Sequence, residues 1–303
     1  MRREVVYNAR METDYGHCVI CPRECGADRH RGAGHCGGGD VAVVAKVMLH
    51  MWEEPCISGT RGSGAVFFSG CNLRCSYCQN RDISRAISGE RVTADRLADI
   101  FLDLQSRGAH NVDLITAVHW LPDVLSALRA ARERGLTVPV VYNTSAYERT
   151  EAVDLLAPYV DVWLPDFKYA DGALGAKYSS APDYPERAAA AIDRMTEAAG
   201  APVFDDEGIL RRGVIIRHLV LPGHVDDTEA VLRTIAARWK GRALLSLMRQ
   251  YTPEFAREDC DLKRRVTTYE YRRALRLARE LGLDGYFQDA ASATDAYTPD
   301  FGV

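Results

Sequence analysis

The sequence predicts an α/β fold, a partial (βα)6 TIM-like barrel carrying a small N-terminal Cys-rich metal-binding segment, and three observations predict it. From Ser63 onward, short apolar runs alternate with amphipathic Ala/Leu/Arg-rich segments, the pattern of repeated βα units around a parallel sheet. The units number six, fewer than the eight of a closed barrel, so the sheet is expected to stay open along one side. Eight of the nine cysteines fall within the first 78 residues, in a stretch with little apolar surface to bury.

Taken in order, residues 1–60 form the Cys-rich segment and 61–303 the barrel domain. Within the first, RHRGAGHCGGGD at 29–40 cannot order itself around a core of its own, so something other than hydrophobic burial must do so. Strands are expected at 65–70 (AVFFSG), 112–116 (VDLIT), 138–142 (VPVVY), 160–164 (VDVWL), 213–220 (GVIIRHLV) and 243–248 (ALLSLM), with a weak seventh at 285–288. Helices are expected near 93–107, 121–134, 148–157, 185–199, 226–239 and 267–281, with Thr93 and the stretch from Asp226 to Thr228 as N-caps. In such a fold the site lies at the C-terminal ends of the strands.

Composition narrows the function. At 303 residues with 47% hydrophobic and 26% charged residues, the chain can bury one large core. A net charge of −4 supplies no general basic surface for nucleic acid. No run reaches the roughly 20 apolar residues of a membrane helix, and MRREVVYNARMETDYGHC lacks a signal-peptide core, so no membrane partner and a cytoplasmic location are expected. In a long, unexported chain, clustered cysteines point to metal rather than to disulfides.

The segment GCNLRCSYCQN at 70–80 directly follows the first expected strand, placing Cys71, Cys75 and Cys78 in a loop on the active-site face. A cubane [4Fe-4S] cluster normally takes four thiolates, so three in one loop leave one iron open to an external ligand. The competing reading is a zinc site or plain buried thiols. These residues resemble the radical S-adenosylmethionine superfamily, whose CxxxCxΦC motif has an aromatic before its last Cys, here Tyr77. The resemblance implies that S-adenosylmethionine chelates the open iron and is cleaved reductively to methionine and a 5′-deoxyadenosyl radical that abstracts hydrogen from a substrate.

Further segments resemble the glycyl-radical activating enzymes and the PflX-type relatives of pyruvate formate-lyase activating enzyme: EEPCISG at 53–59, VYNTSAY at 141–147, LPDFKY at 164–169 and RHLVLPGH at 217–224. Where most superfamily members carry Gly-Gly-Glu, this chain reads ITAVHWLP, so Thr116 and His119 are the expected polar contacts to the cofactor, with a helix cap as the alternative role of His119. Asn143 and Ser145 are expected at the ribose hydroxyls, or as a cap for the next helix. Asp166 and Lys168, two apart on one strand face, are expected to fix the cofactor carboxylate through a bridging cation or an ion pair, against the alternative of a structural pair. Alternation turns either Arg217 or His218 inward, and Arg217 is carried as the cofactor contact; Val220 and Leu221 resemble adenine-flanking residues. MRQY at 248–251 is expected on the substrate side.

Cys18, Cys21, Cys25 and Cys36 have four-thiolate stoichiometry and are expected to hold zinc or a second iron–sulfur cluster, with His17, His30 and His35 as substitute ligands. Cys56 and Cys260 are read as buried structural side chains. The resemblance implies a radical enzyme, in one form an activase acting on a glycyl-radical partner, in another a modifier of a peptide or small metabolite. The third reading is a non-catalytic iron–sulfur or redox-sensing protein. Partners expected of the enzyme are a small-molecule or flavodoxin-like reductant and a protein or peptide substrate.

Overall fold

The computed structural model describes residues 14–288 and residue 301, so the stretch read for a signal core lies, through residue 13, outside the described residues. No helix among the described residues is long and apolar enough to cross a membrane.

The first strand, β1 (Val43–His50), arises inside the Cys-rich segment, where the surrounding Gly and Cys mask its apolar run VVAKVMLH. It pairs antiparallel with β2 (Ser63–Phe68), Val44 facing Phe68 and His50 facing Ser63, so the stretch given to the appendage contributes an element of the main sheet. The single-turn helix α1 (Pro55–Ser58) joins them. After β2 come the loop of Cys71, Cys75 and Cys78, the short helix α2 (Arg81–Arg85), the two-residue strand β3 (Glu90–Arg91) against β1, and α3 (Ala94–Ser106), which Thr93 caps by accepting from Arg96 N as expected.

Next stand β4 (Val112–Ile115), α4 (Leu121–Glu133), β5 (Val140–Thr144), α5 (Thr150–Leu156) and β6 (Val162–Pro165). The fifth strand starts beyond the expected residue 138 because Pro139 has no N–H for the ladder; its carbonyl only accepts, from Val112 N at 2.9 Å. Two helices follow β6. The first, α6 (Gly172–Ser179), escaped the sequence reading because two glycines in GALGAKYS weaken the helical signal; Asp171 caps it through Ala173 N. The second is α7 (Tyr184–Ala199). The described chain then continues through β7 (Val203–Phe204), β8 (Leu210–Leu219), α8 (Val225–Trp239), β9 (Leu244–Met248), α9 (Thr268–Glu280) and β10 (Gly285–Phe287). The caps expected from Asp226 to Thr228 do not form. The eighth helix begins one residue earlier, after His224, which leaves Asp226 and Asp227 in its positive first turn.

The sheet runs β10-β9-β8-β6-β5-β4-β2-β1-β3, parallel from β10 to β2, and among the described residues its edges do not meet. This is the expected open barrel of six units, with the weak seventh strand present as β10. Alternation sorts the strands. Val141, Val162, Leu164 and Ile215 form one apolar cluster with Cys56 and Ile57 of α1, while Tyr142, Trp163, Ile216 and Leu245 pack into the larger core that takes the helices. Trp120, Trp163 and Trp239 are fully buried in that outer layer.

One buried acid gives the outer layer a pH dependence. Glu148, 1% exposed, accepts from Thr144 Oγ1 and from Tyr142 OH at 3.4 Å, and burial pushes its carboxyl up to about 7. Between its unfolded value of 4.5 and about 7, the folded chain holds a proton that the unfolded chain has lost, so stability falls as pH rises through that window. The cost reaches about 3 kcal/mol, at roughly 1.4 kcal/mol per pH unit. Urea titrations at pH 4.5 and pH 7 should show the wild type losing this amount relative to Glu148→Gln. Parallel pH profiles for the two chains would contradict the assignment.

Candidate active site

The strand ends of the barrel and the cysteine loop enclose one cavity. Cys71, Tyr77, Cys75 and Cys78 line it from the loop, and Thr116, Asn143, Ser145, Asp166, Lys168 and Arg217 from the strand ends. Of the residues the sequence expected at the cofactor, His119, Val220 and Leu221 do not line this cavity.

The loop is shaped for sulfur ligation. Gly70 takes φ +87°, and a Cβ there would stand 2.8 Å from Cys36 O, so a side chain is excluded where the loop leaves β2. Each of the three sulfurs meets a donor: Leu73 N to Cys71 Sγ at 3.4 Å, Ser179 Oγ to Cys75 Sγ at 3.0 Å and Ser84 Oγ to Cys78 Sγ at 3.6 Å. Arg85 ties down the loop through Cys75 O and Ser76 O, both at 3.2 Å. Burial pushes the Cys75 thiol up to about 12 and raises that of Cys78. A buried thiolate therefore needs a bound cation to exist at neutral pH, and three thiols ringed by N–H and O–H donors suit a cluster whose ligands are thiolates. Tyr77, 9% exposed, hydrogen-bonds the Tyr169 hydroxyl at 2.7 Å and packs edge-on to Tyr178 and Tyr251.

Behind the loop lies a buried ionic network. Arg217 Nε donates to Asp166 Oδ1 at 3.0 Å, its Nη1 to Glu53 Oε2 at 3.3 Å and its Nη2 to Asn143 Oδ1, while Lys168 Nζ meets Asp166 Oδ2 at 2.5 Å. Burial opposes ionisation of Asp166, but Lys168 and Arg217 outweigh it and hold the carboxyl below its ordinary value. Glu53 and Glu54 go the other way: burial raises both against the pull of Arg217. Asp113, wholly buried, is raised well above its usual range by the same cause. Asp166 and Lys168 pair with each other, as in the structural alternative weighed from the sequence, and Arg217 extends the pair. Neither Asn143 nor Ser145 caps a helix, since Arg149 is the cap residue of α5.

His119 departs from expectation. It is 1% exposed in a 3-10 turn before α4, its Nε2 bonds Ser69 O at 2.8 Å, and it caps nothing. Burial lowers its ring to about 4, so it is neutral and braces the root of the cysteine loop from behind. Arg217, not His218, turns inward; His218 contacts Phe167 O at 2.8 Å and Thr228 Oγ1 at 3.0 Å on the outer face. Val220 and Leu221 are buried in the outer core, and Leu219 reaches the cavity instead. Of MRQY, Met248 and Gln250 line the cavity.

Sequence reasoning passed over His50, Glu53 and Asp113. A signal was there: Arg217 within GVIIRHLV and Asp113 within VDLIT are charges inside apolar strands, and each demands a buried partner. For Arg217 one partner, Glu53, lies 164 positions away in the chain, whereas both carboxylate oxygens of Asp113 are buried without a hydrogen-bond partner.

At the N-terminus Cys18, Cys21 and Cys36 are buried and Cys25 is exposed. Among the described residues no three His, Cys, Asp or Glu side chains converge to the spacing of a single bound ion. His30 bonds Asp40 at 3.0 Å and stays outside the thiol group.

The family described as the Radical SAM superfamily matches residues 65–235. An uncharacterized protein of Methanocaldococcus jannaschii is 29% identical over 276 residues, 89% of this chain and 76% of that protein. The pyruvate formate-lyase-activating enzyme of Clostridium pasteurianum is 29% identical over 114 residues, 35% of this chain and 45% of that enzyme. Among solved structures, Streptococcus suis SuiB bound to precursor peptide SuiA superposes with a TM-score of 0.52 at 14% identity, over 72% of this chain and 46% of that one, a likeness of fold.

Proposed function

The chain belongs to the radical SAM superfamily, and from that premise we propose that Cys71, Cys75 and Cys78 hold its [4Fe-4S] cluster and that the cavity presents S-adenosylmethionine to a protein or peptide substrate. The observation that carries the reading is that three thiols, each with a hydrogen-bond donor, and the polar strand ends line one cavity. When bound, such a cluster would supply the electron for reductive cleavage of S-adenosylmethionine, itself reduced by a low-potential small-molecule or flavodoxin-like donor.

This chain's residues bind, orient and exclude water. Lys168 and Asp166 are assigned to the charged methionine end of the cofactor, with Thr116 beside it. Asn143 and Ser145 are assigned to the ribose; Ser145 Oγ is buried without a partner and so has a hydrogen bond to give. Arg217 is a positioning residue, clamping Asn143 and Asp166 at once. Phe67, Leu73, Ile115, Leu219 and Met248 supply apolar wall that keeps water from a reactive radical.

A macromolecular substrate is favoured by one relative, named as an activating enzyme of pyruvate formate-lyase, and is in keeping with a neighbour in fold that is bound to a precursor peptide. The first makes a glycine of a partner enzyme the finer target. The test follows the abstracted hydrogen. Reconstituted, reduced enzyme is incubated with S-adenosylmethionine and a fractionated extract of deuterium-grown cells, and the 5′-deoxyadenosine is weighed. Deuterium should arrive from the protein and peptide fraction; arrival only from the small-molecule filtrate would transfer the reading to a metabolite.

A further inference from the structure

Residues 14–42 fold without helix or strand, through turns that wrap the thiols: Gly26 N bonds Cys18 O, Cys18 N bonds Ala27 O and Glu24 N bonds Cys21 O, each at 3.0 Å. The Sγ atoms of Cys36 and Cys25 lie 3.5 and 3.6 Å from the position a Cβ on Gly34 would take, so these two sulfurs flank one point. Gly38 N donates to Cys36 Sγ at 3.4 Å.

Into this group runs a buried cation. Arg29 is 1% exposed, and its guanidinium lies 4.2 Å from the ring centre of Tyr15 and 4.9 Å from that of Trp120. Nε donates to Gly39 O at 2.8 Å, and Nη1 donates to His119 O at 2.7 Å while standing 3.8 Å from Cys18 Sγ. Nη2 is buried with no hydrogen-bond partner. Among the described residues no carboxylate comes within ion-pair distance of Arg29; Asp123, the nearby acid, is bound by Tyr15 OH at 2.5 Å. A guanidinium so placed needs a counter-charge, and the groups at hand are thiols that are neutral until metal takes their protons.

We propose that Cys18, Cys21, Cys25 and Cys36 bind a metal centre as four thiolates, that Arg29 neutralises its excess negative charge, and that the loaded centre positions the loop of Cys71. Four thiolates exceed the charge of one divalent ion, and of a cubane core, by the same sense, so the charge argument is common to both. As they stand the four sulfurs do not close on one point; a lone ion would draw them inward, whereas a cluster binds each to its own iron.

Positioning follows from two ties. Cys71 N donates to Cys36 O at 3.2 Å, joining a ligand of one centre to a ligand of the other. Arg23, between Cys21 and Cys25, donates from Nε to Asn72 O at 2.8 Å and from Nη2 to Ser179 O at 2.9 Å, and Ser179 is the donor to Cys75 Sγ. The N-terminal segment thus holds the start of the cysteine loop at Cys71 and Asn72 and, through Ser179, the residue that donates to Cys75 Sγ.

The metal half is tested in the Cys71/Cys75/Cys78→Ala chain, which has no part in radical chemistry, so its outcome is independent of the reading above; the positioning half rests on that reading. After anaerobic reconstitution this chain should retain one metal centre, with iron and sulfide or zinc telling cluster from lone ion. Adding Cys21→Ser should remove it. Arg29→Met should release the metal to a chelator with about 10- to 100-fold weaker affinity, and Arg29→Lys should recover part of that. No bound metal in the triple variant overturns the site; equal affinity in Arg29→Met and wild type overturns the charge pairing. For positioning, Cys21→Ser in the otherwise native chain, loaded with iron, should show a weakened change in its cluster EPR signal on adding S-adenosylmethionine. An unchanged response would leave the two centres uncoupled and overturn that half.

Discussion

A Cys75→Ala chain, reconstituted anaerobically with iron and sulfide and reduced with dithionite, should release no 5′-deoxyadenosine from S-adenosylmethionine above the protein-free blank. Cys75 is the most enclosed of the three thiols, 7% exposed and bonded by Ser179 Oγ at 3.0 Å, so no neighbouring side chain can take its place. Three thiolates are the fewest that hold a cubane with one iron open, and two leave the cluster labile. The loss should be complete rather than graded, because the chemistry belongs to the cofactor and not to a proton-transfer group that water can replace. Cys260→Ala is the control. Cys260 is buried next to the loop, with Ser76 Oγ 3.5 Å from its sulfur, but does not line the cavity, and its removal should leave cleavage intact. Cleavage by Cys75→Ala at the wild-type rate would withdraw the assignment of the loop.

Arg217→Met should cost about 3–5 kcal/mol of folding stability, read by urea titration of the apo chain, because breaking a buried pair strands its partners. Methionine keeps much of the length and apolar volume, so packing changes little. What changes is charge: Asp166 keeps only Lys168, and Glu53 keeps only the amide of Asn143 at 3.3 Å. Glu53 and Asp113, already raised by burial, should take up protons at a higher pH still, which softens the loss in acid. The destabilisation should therefore be larger at pH 8 than at pH 5. A cost below about 1 kcal/mol, typical of exposed pairs, would mean that water reaches the network.

Much of this was legible because it is local. The strands after Ser63 announced themselves by apolar runs, Thr93 capped the helix it precedes, and the three cysteines sit within eight residues of one another. The misses are where one signal hid another. The first strand was lost in the composition around it, α6 behind its glycines, and His119 was read from its place in a turn, whereas its ring faces away from the cavity to Ser69.

By itself the sequence determined the open α/β barrel and, through the resemblance of its cysteine motif, the superfamily, since motif and hydrophobic period are properties of neighbours in the chain. Only the tertiary structure decided which charges share the barrel interior and what stands behind each thiol group. Glu53 joins Arg217 across 164 positions, and Arg29 reaches His119 across 90, by long-range packing that no local pattern encodes. A buried charge tells that a partner must exist, but the fold alone names it.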